Sequence, residues 1–198
     1  MNWETYIAFG DSITIGARTY LGYPELVGSE LNSYLPTRWN IVNHAVCGYK
    51  AIDLARDIDK HFMSLKEKRS SISTILIGTN DIKENTPVSD FQVALDQVIL
   101  KTKLLTLNSN VIVFAIPEFH PGISYPYSIG MNDRVIAFNQ MIGELCASHN
   151  VRMLSLTHSV ADFADGVHLN ATGVRTISNQ ITRYILRDKG IDVAPAQP

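Results

Sequence analysis

Short apolar runs rich in β-branched residues alternate along the chain with longer stretches whose apolar side chains recur every third or fourth position. Positions 6–9, 41–45, 72–77, 111–116 and 151–156 are of the first kind. Such runs suit strands covered on both faces, as in a parallel sheet. Positions 24–35, 51–65, 88–107, 133–149 and 171–188 are helix-compatible, and the fourth shows the period well: Val135, Phe138, Ile142 and Leu145 share one face. Asp90 and Asn132 stand near helix starts, where short polar side chains cap free backbone N–H groups. Gly190 is placed to end the last helix, and the Pro/Ala-rich residues 193–198 read as a frayed tail.

Five β/α units in one run predict a doubly wound α/β sandwich, a single domain over residues 1–190 with a tail at 191–198. A chain of 198 residues is long enough to bury a real core. In open parallel sheets, ligands bind beyond the carboxyl ends of the strands. Ser12, Gly48 and Asn80 each fall just past the end of a predicted strand. The segment 117–127, dense in Pro, Gly and aromatics, breaks the alternation and reads either as a long surface loop or as a wall of the substrate pocket.

Charge narrows the partners. The formal net charge is −2 and Lys and Arg are scattered, so nothing points to nucleic acid or an anionic membrane surface. No run approaches the ~20 apolar residues a membrane-spanning helix needs. Met1-Asn2-Trp3-Glu4 has no basic region, so no export signal is visible and a cytoplasmic location is the default expectation. Cys47 and Cys146 form neither a metal-type pair nor a disulfide framework, and both are expected to be small buried apolar residues.

Two separated segments carry candidate chemistry. Gly10-Asp11-Ser12-Ile13 presents a serine on the turn after the first strand, and Asp165-Gly166-Val167-His168 stands near the C-terminus. A serine nucleophile needs a base within hydrogen-bond reach and donors for the developing oxyanion. His168 is the preferred base, and Asp165 is close enough in sequence to accept from its Nδ1 and fix its tautomer. His158 with Asp162 is the rival pair. His44, His61, His120, His149 and His158 are read as structural or surface histidines. Gly48 is either a tight-turn glycine or a backbone N–H that approaches the substrate, and Asn80 either caps a helix or donates its amide to the oxyanion. Gly-x-Ser-x-Gly, phosphate-loop, dinucleotide and zinc-type patterns are absent.

These segments together resemble the GDSL esterase/lipase family, the SGNH hydrolases, whose site residues are Ser, Gly, Asn and His. The similarity is carried by Gly10-Asp11-Ser12-Ile13, by Asn43-x-Ala45-x-Cys47-Gly48, by Gly78-Thr79-Asn80-Asp81, and by Asp165-Gly166-Val167-His168-Leu169-Asn170. Ala45 and Cys47 depart from the Gly and Ser that many relatives carry there. The resemblance implies a flavodoxin-like three-layer α/β/α sandwich with a five-stranded parallel sheet. It assigns Ser12 as nucleophile, His168 as base and then acid, and Asp165 as orienting carboxylate. The Ser12 and Gly48 backbone N–H groups and the Asn80 side chain become the oxyanion donors. No cofactor and no metal are expected. The implied activity is hydrolysis of carboxylic esters of short or medium acyl chains, the substrate being a small molecule or an esterified saccharide. Lysophospholipase, acyl-thioesterase and carbohydrate O-deacetylase activities remain open on the same residues, as do acyl transfer and a non-catalytic binding role.

Overall fold

A computed structural model describes residues 3–63 and 70–192. Its centre is a five-stranded, fully parallel sheet in the order β2-β1-β3-β4-β5. The strands are β1 (Trp3–Gly10), β2 (Arg38–Asn43), β3 (Ile72–Leu76), β4 (Val111–Phe114) and β5 (Arg152–Leu154). The helices are α1 (Ser12–Ile15), α2 (Tyr23–Tyr34), α3 (Ala51–Met63), α4 (Thr79–Lys83), α5 (Val88–Leu105), α6 (Asn132–Ser148) and α7 (Ala171–Asp188).

Side chains alternate across each strand, and the sheet therefore has two cores. Ile7 and Phe9 of β1, Ile75 of β3 and Val111 and Val113 of β4 pack against α3, α5 and α6. Tyr6 and Ala8, Leu76, and Ile112 and Phe114 face the other way, onto α2 and α7. Apolar residues on both faces are what a sheet covered by helices on each side requires. The result is the α/β/α sandwich expected from the sequence. Among the described residues, no helix is long and apolar enough to cross a membrane.

The central strands sit close to their expected positions, whereas the edges differ. β2 begins at Arg38 rather than residue 41, because an edge strand leaves Arg38 and Asn40 exposed and only Trp39 buried at its start. It also ends early, at Asn43. There the side chain accepts from Ala45 N at 3.1 Å and turns the chain off the ladder, although Val46 N still reaches Gly10 O at 3.1 Å. β4 stops at Phe114, and the Asn139 amide takes over the N–H and C=O of Ile116 at 2.8 and 2.9 Å. The 88–107 helix ends at Leu105, and the last two positions expected for the 51–65 helix, with the 193–198 tail, lie outside the described residues.

Three further expectations are corrected. Neither Asp90 nor Asn132 caps a helix: Pro87 precedes α5 with Asp90 inside the first turn, and Asn132 is already the first residue of α6. Asn132 instead clamps Phe119, accepting from its N–H at 2.8 Å and donating to its carbonyl at 3.0 Å. Cys47 is exposed, since it follows β2 into a surface turn, while Cys146 is buried and its thiol is pushed up to about 11 by desolvation.

Candidate active site

Gly10 ends β1, and the chain enters α1 directly, with Asp11 as its cap. The Asp11 carboxylate accepts from Ile13 N at 3.0 Å, which holds the tight strand-to-helix turn and leaves Ser12 as the first helical residue. A residue there has no carbonyl one turn back, so its N–H is available to an incoming group. Asp11 itself is fully buried, and desolvation raises its carboxyl to about 7 despite the Ile13 N–H and the nearby Thr79 hydroxyl. Its Oδ2 and the Thr79 Oγ1 are both buried, and neither has a hydrogen-bond partner among the described residues.

The C-terminal segment reaches the same place by a different device. Residues 162–170 fold back on themselves, with Phe163 bridging Leu169, Ala164 N bonded to His168 O at 2.8 Å and Asn170 N to Asp162 O at 2.9 Å. At the turn of this loop Gly166 adopts φ +77°, and a Cβ there would lie 2.4 Å from His120 O. Asn170 then caps α7 by accepting from Thr172 N and Gly173 N. The Asp165–His168 turn is thus pinned from both ends.

Between these elements runs an unbroken hydrogen-bonded chain. Ser12 Oγ lies 3.0 Å from His168 Nε2, and His168 Nδ1 lies 2.9 Å from Asp165 Oδ2. Asp165 Oδ1 accepts from the N–H groups of His168 and Val167 at 2.8 and 3.1 Å, and Arg18 Nε donates to Oδ2 at 3.0 Å. Burial alone would raise this carboxyl. The His168 N–H and imidazole, the Arg18 guanidinium and the Val167 N–H outweigh it and hold Asp165 well below the usual carboxylate range. Asp165 is therefore ionised throughout the range in which an imidazole works as a base.

Asn80 belongs to α4, immediately beyond β3, and is 3% exposed. Its Nδ2 donates to Tyr49 O at 3.0 Å, and its Oδ1 faces the Tyr127 hydroxyl at 3.4 Å. A carbonyl only accepts, so the Tyr49 contact fixes which end of the amide is the donor, and an amide nitrogen carries a second N–H. Gly48, just before Tyr49, has φ +81° and nothing within 4 Å of where a Cβ would sit, so its backbone borders open space. The second and third sequence blocks are further joined by Ala51 N donating to Asp81 Oδ2 at 2.9 Å. Asp81 is also buried, and its carboxyl is raised to about 6 by desolvation.

The segment after β4 contributes a wall. Ser124, Tyr125, Pro126 and Tyr127 line a cavity of about 190 Å³ together with Arg18, Asp165, Val167 and His168. Tyr127 thus touches both halves of the site, bordering the Asp165–His168 turn and donating to Asn80. Its hydroxyl is pushed up to about 12, chiefly by burial and then by Asp11 and Asp165, so it remains a donor at neutral pH. A larger cavity of about 570 Å³ opens beside Lys50 and Asp81, the residues that follow the Tyr49–Asn80 contact.

The rival pair does not form. His158 Nδ1 faces His120 Nε2 at 3.2 Å, and Asp162 spends its Oδ2 on the Ser159 N–H and hydroxyl at 2.7 and 3.0 Å. His149 is tied to Asp96 at 2.6 Å, and His44 stacks on Phe9. Two contributors had no signal in the sequence pattern: Arg18, and Tyr127 as a partner of Asn80. Among the described residues, no group of three or more His, Cys, Asp or Glu is arranged to hold a metal ion.

Comparison with known proteins gives the family and the fold. Residues 8–176 match the GDSL-like Lipase/Acylhydrolase family. No curated protein matches the sequence. Solved structures share the fold at low identity. A lipase/acylhydrolase from Enterococcus faecalis superposes with a TM-score of 0.77 at 20% identity, covering 98% of this chain and 100% of its own. Axe2, an acetylxylan esterase from Geobacillus stearothermophilus, gives 0.74 at 19% identity over 98% and 97% of the two chains. LAE5, an alpha/beta hydrolase enzyme from the metagenome of Lake Arreo, gives 0.74 at 18% identity over 96% and 97%. With the family matched from the end of β1 to the start of α7, the chain belongs to the GDSL-like lipase/acylhydrolases and is an SGNH-type serine hydrolase acting on ester bonds.

Proposed function

We propose that the protein hydrolyses carboxylic esters of short or medium acyl chains through an acyl-enzyme on Ser12. The observation that carries this reading is the continuous Ser12–His168–Asp165 hydrogen-bond chain, at 3.0 and 2.9 Å. His168 Nε2 takes the Ser12 proton as Oγ adds to the ester carbon. Asp165 balances the imidazolium so formed. The tetrahedral oxygen receives N–H donors from Ser12, Gly48 and the free hydrogen of the Asn80 amide. Collapse breaks the ester C–O bond, and His168 returns its proton to the departing alcohol oxygen. Water, deprotonated by His168, then adds to the acyl carbon, and Ser12 leaves with that proton to release the acid.

The leaving alcohol departs on the imidazole side, where the 190 Å³ cavity lies. That volume equals about six waters at ~30 Å³ each, which suits a small group. The larger cavity is lined by Lys50, Asp81, Glu84 and Asp90 as well as apolar residues, a poor wall for a long alkyl chain. The polar lining of the larger cavity supports short acyl groups over long ones. A saccharide ester is the second reading, favoured by two tyrosines on site loops with nearly all of their surface in solvent: Tyr125 at 95% and Tyr20 at 99%. Amphipathic rings so exposed are suited to stacking on a partner. The fold-similar Axe2 acts on acetylxylan, in line with this alternative.

A series of p-nitrophenyl esters from acetyl to palmitoyl, run beside acetylated xylan and lysophospholipid, tests the reading. Turnover should be greatest for the short esters, and Ser12→Ala should lose both turnover and labelling by a fluorophosphonate probe. Labelling that survives Ser12→Ala places the nucleophile elsewhere. Best turnover on palmitoyl ester or lysophospholipid refutes the short-chain assignment.

A further inference from the structure

Asp165 is held unequally by its surroundings. Oδ1 is fixed by two backbone N–H groups of its own turn, at 2.8 and 3.1 Å. His168 Nδ1 lies nearer to Oδ2, at 2.9 Å, than to Oδ1, at 3.2 Å, and among the described residues Oδ2 has no backbone donor and is held from outside the turn by Arg18 Nε alone, at 3.0 Å. With only Oδ1 anchored, the carboxylate plane can swing, and the imidazole that it orients would swing with it. The second anchor therefore sets the plane of His168, and with it the approach of Nε2 to Ser12 Oγ. Arg18 follows the nucleophile on the loop leaving α1, where Ala17 N is bonded to Ser12 O at 3.1 Å. One short segment thus carries the nucleophile and reaches the carboxylate that serves its base.

We propose that Arg18 is a positioning residue of the hydrolytic site, fixing Asp165 and through it His168. This rests on the proposed Ser12–His168–Asp165 mechanism. Arg18 has a second consequence through charge. It is a permanent cation sharing Asp165 Oδ2 with the imidazole, so it opposes a positive charge on His168 and limits capture of the base by a solvent proton. The other titratable groups around the turn are Tyr127 from the cavity wall, Asp11 below Ser12, and His120 and His158 on the far side of Gly166. None of these takes a hydrogen bond from, or gives one to, Asp165 Oδ2.

The test uses the full chain with Arg18→Gln, Arg18→Ala and Arg18→Lys, following p-nitrophenyl acetate hydrolysis between pH 5 and 9. Two like charges about 5–6 Å apart in water-like surroundings interact by roughly half a pH unit. The acid limb of kcat/KM should therefore move up by about that amount in the Gln and Ala variants. On the plateau, kcat should fall about two- to fivefold, the range set by losing a half-exposed ion pair. Arg18→Lys keeps the charge and should return the limb to its wild-type position. An acid limb unmoved in both neutral variants, or an effect confined to KM, overturns the proposal. Should Arg18→Gln fail to fold, Arg18→Ala gives the same reading. Ser12→Ala separates the two levels: if it is inactive while Arg18→Gln matches wild type, only the role of Arg18 falls.

Discussion

Replacing Asp11 by Asn should remove a pH-dependent weakness of the fold. The Asp11 carboxyl is fully buried beneath the nucleophile turn and raised from 3.8 to about 7, mainly by desolvation. Between those two values the unfolded chain carries it ionised while the native protein keeps it protonated. The native state then binds more protons, so stability is fully present below the unfolded value and is lost as pH rises toward 7. A shift of about 3 units corresponds to roughly 4 kcal/mol, of which about 3 kcal/mol falls between pH 5 and pH 8.5. Asn is nearly isosteric. Its Oδ1 can keep the Ile13 N–H, and its Nδ2 would offer a donor to the Thr79 hydroxyl, which has no hydrogen-bond partner among the described residues. Denaturant unfolding of both proteins at pH 5 and pH 8.5 measures the effect. Asp165, depressed, acts only in more acidic solution and cancels in the comparison, while Asp81, raised to about 6, contributes with the same sign and is further relieved when the Asp11 charge that repels it is removed. The Asn variant should gain about 3 kcal/mol relative to wild type across that interval. A stability difference that is equal at the two pH values refutes the buried, protonated carboxyl.

Asn80→Ala should lower kcat on p-nitrophenyl acetate by roughly 10²–10³, the usual cost of one oxyanion donor, with the circular dichroism spectrum unchanged. Near-normal turnover would remove Asn80 from the site. Gly166→Ala puts a methyl 2.4 Å from His120 O at φ +77°. It should cost about 1–3 kcal/mol in urea unfolding and lower the rate of fluorophosphonate labelling, because the displaced turn carries both Asp165 and His168.

What was legible in the sequence follows from the range of the interactions involved. β4 is a continuous apolar run because both of its faces meet helices, and β3 departs from that pattern only at Ser73 and Thr74, which are buried and hydrogen-bonded to Thr106 and Tyr6. β2 reads less clearly: at the sheet edge half of its early side chains meet solvent, so Arg38 and Asn40 hide the strand's beginning. Local chemistry also misleads where a distant partner outbids it. Asn132 has the residue type and position of a helix cap, yet it spends its amide on Phe119, thirteen residues away in sequence. Ser12, Asn80, Asp165 and His168 stand out in the sequence because each lies in a short patterned block. Arg18 has no such block, and its partner lies 147 residues along the chain. In the sequence Asp11 is only a residue of the turn that presents Ser12, and its complete burial depends on β1 lying inside the sheet with helices above and below.

The strand order explains why these blocks can act together. The chain lays β2 on one side of β1 and then crosses to lay β3 on the other, so connections leave the carboxyl ends of β1 and β3 toward opposite faces. A crevice opens at that reversal, with Ser12 on one rim and Asn80 on the other. The loop after β2 closes one end, because Val46 N pairs with Gly10 O and Tyr49 O takes the Asn80 amide. The imidazole of His168 does not come from the ends of these strands. It arrives instead from the 162–170 turn beyond β5, held against the loop after β4 by the His120 N–H on Gly166 O at 2.9 Å. Ser12 and Asn80 thus share the rigid centre of the sheet, while His168 rides on a separate, hydrogen-bonded loop. Differences in substrate reach should therefore be sought in the exposed side chains of residues 117–131, such as Tyr125, which can change without disturbing the ends of β1 and β3.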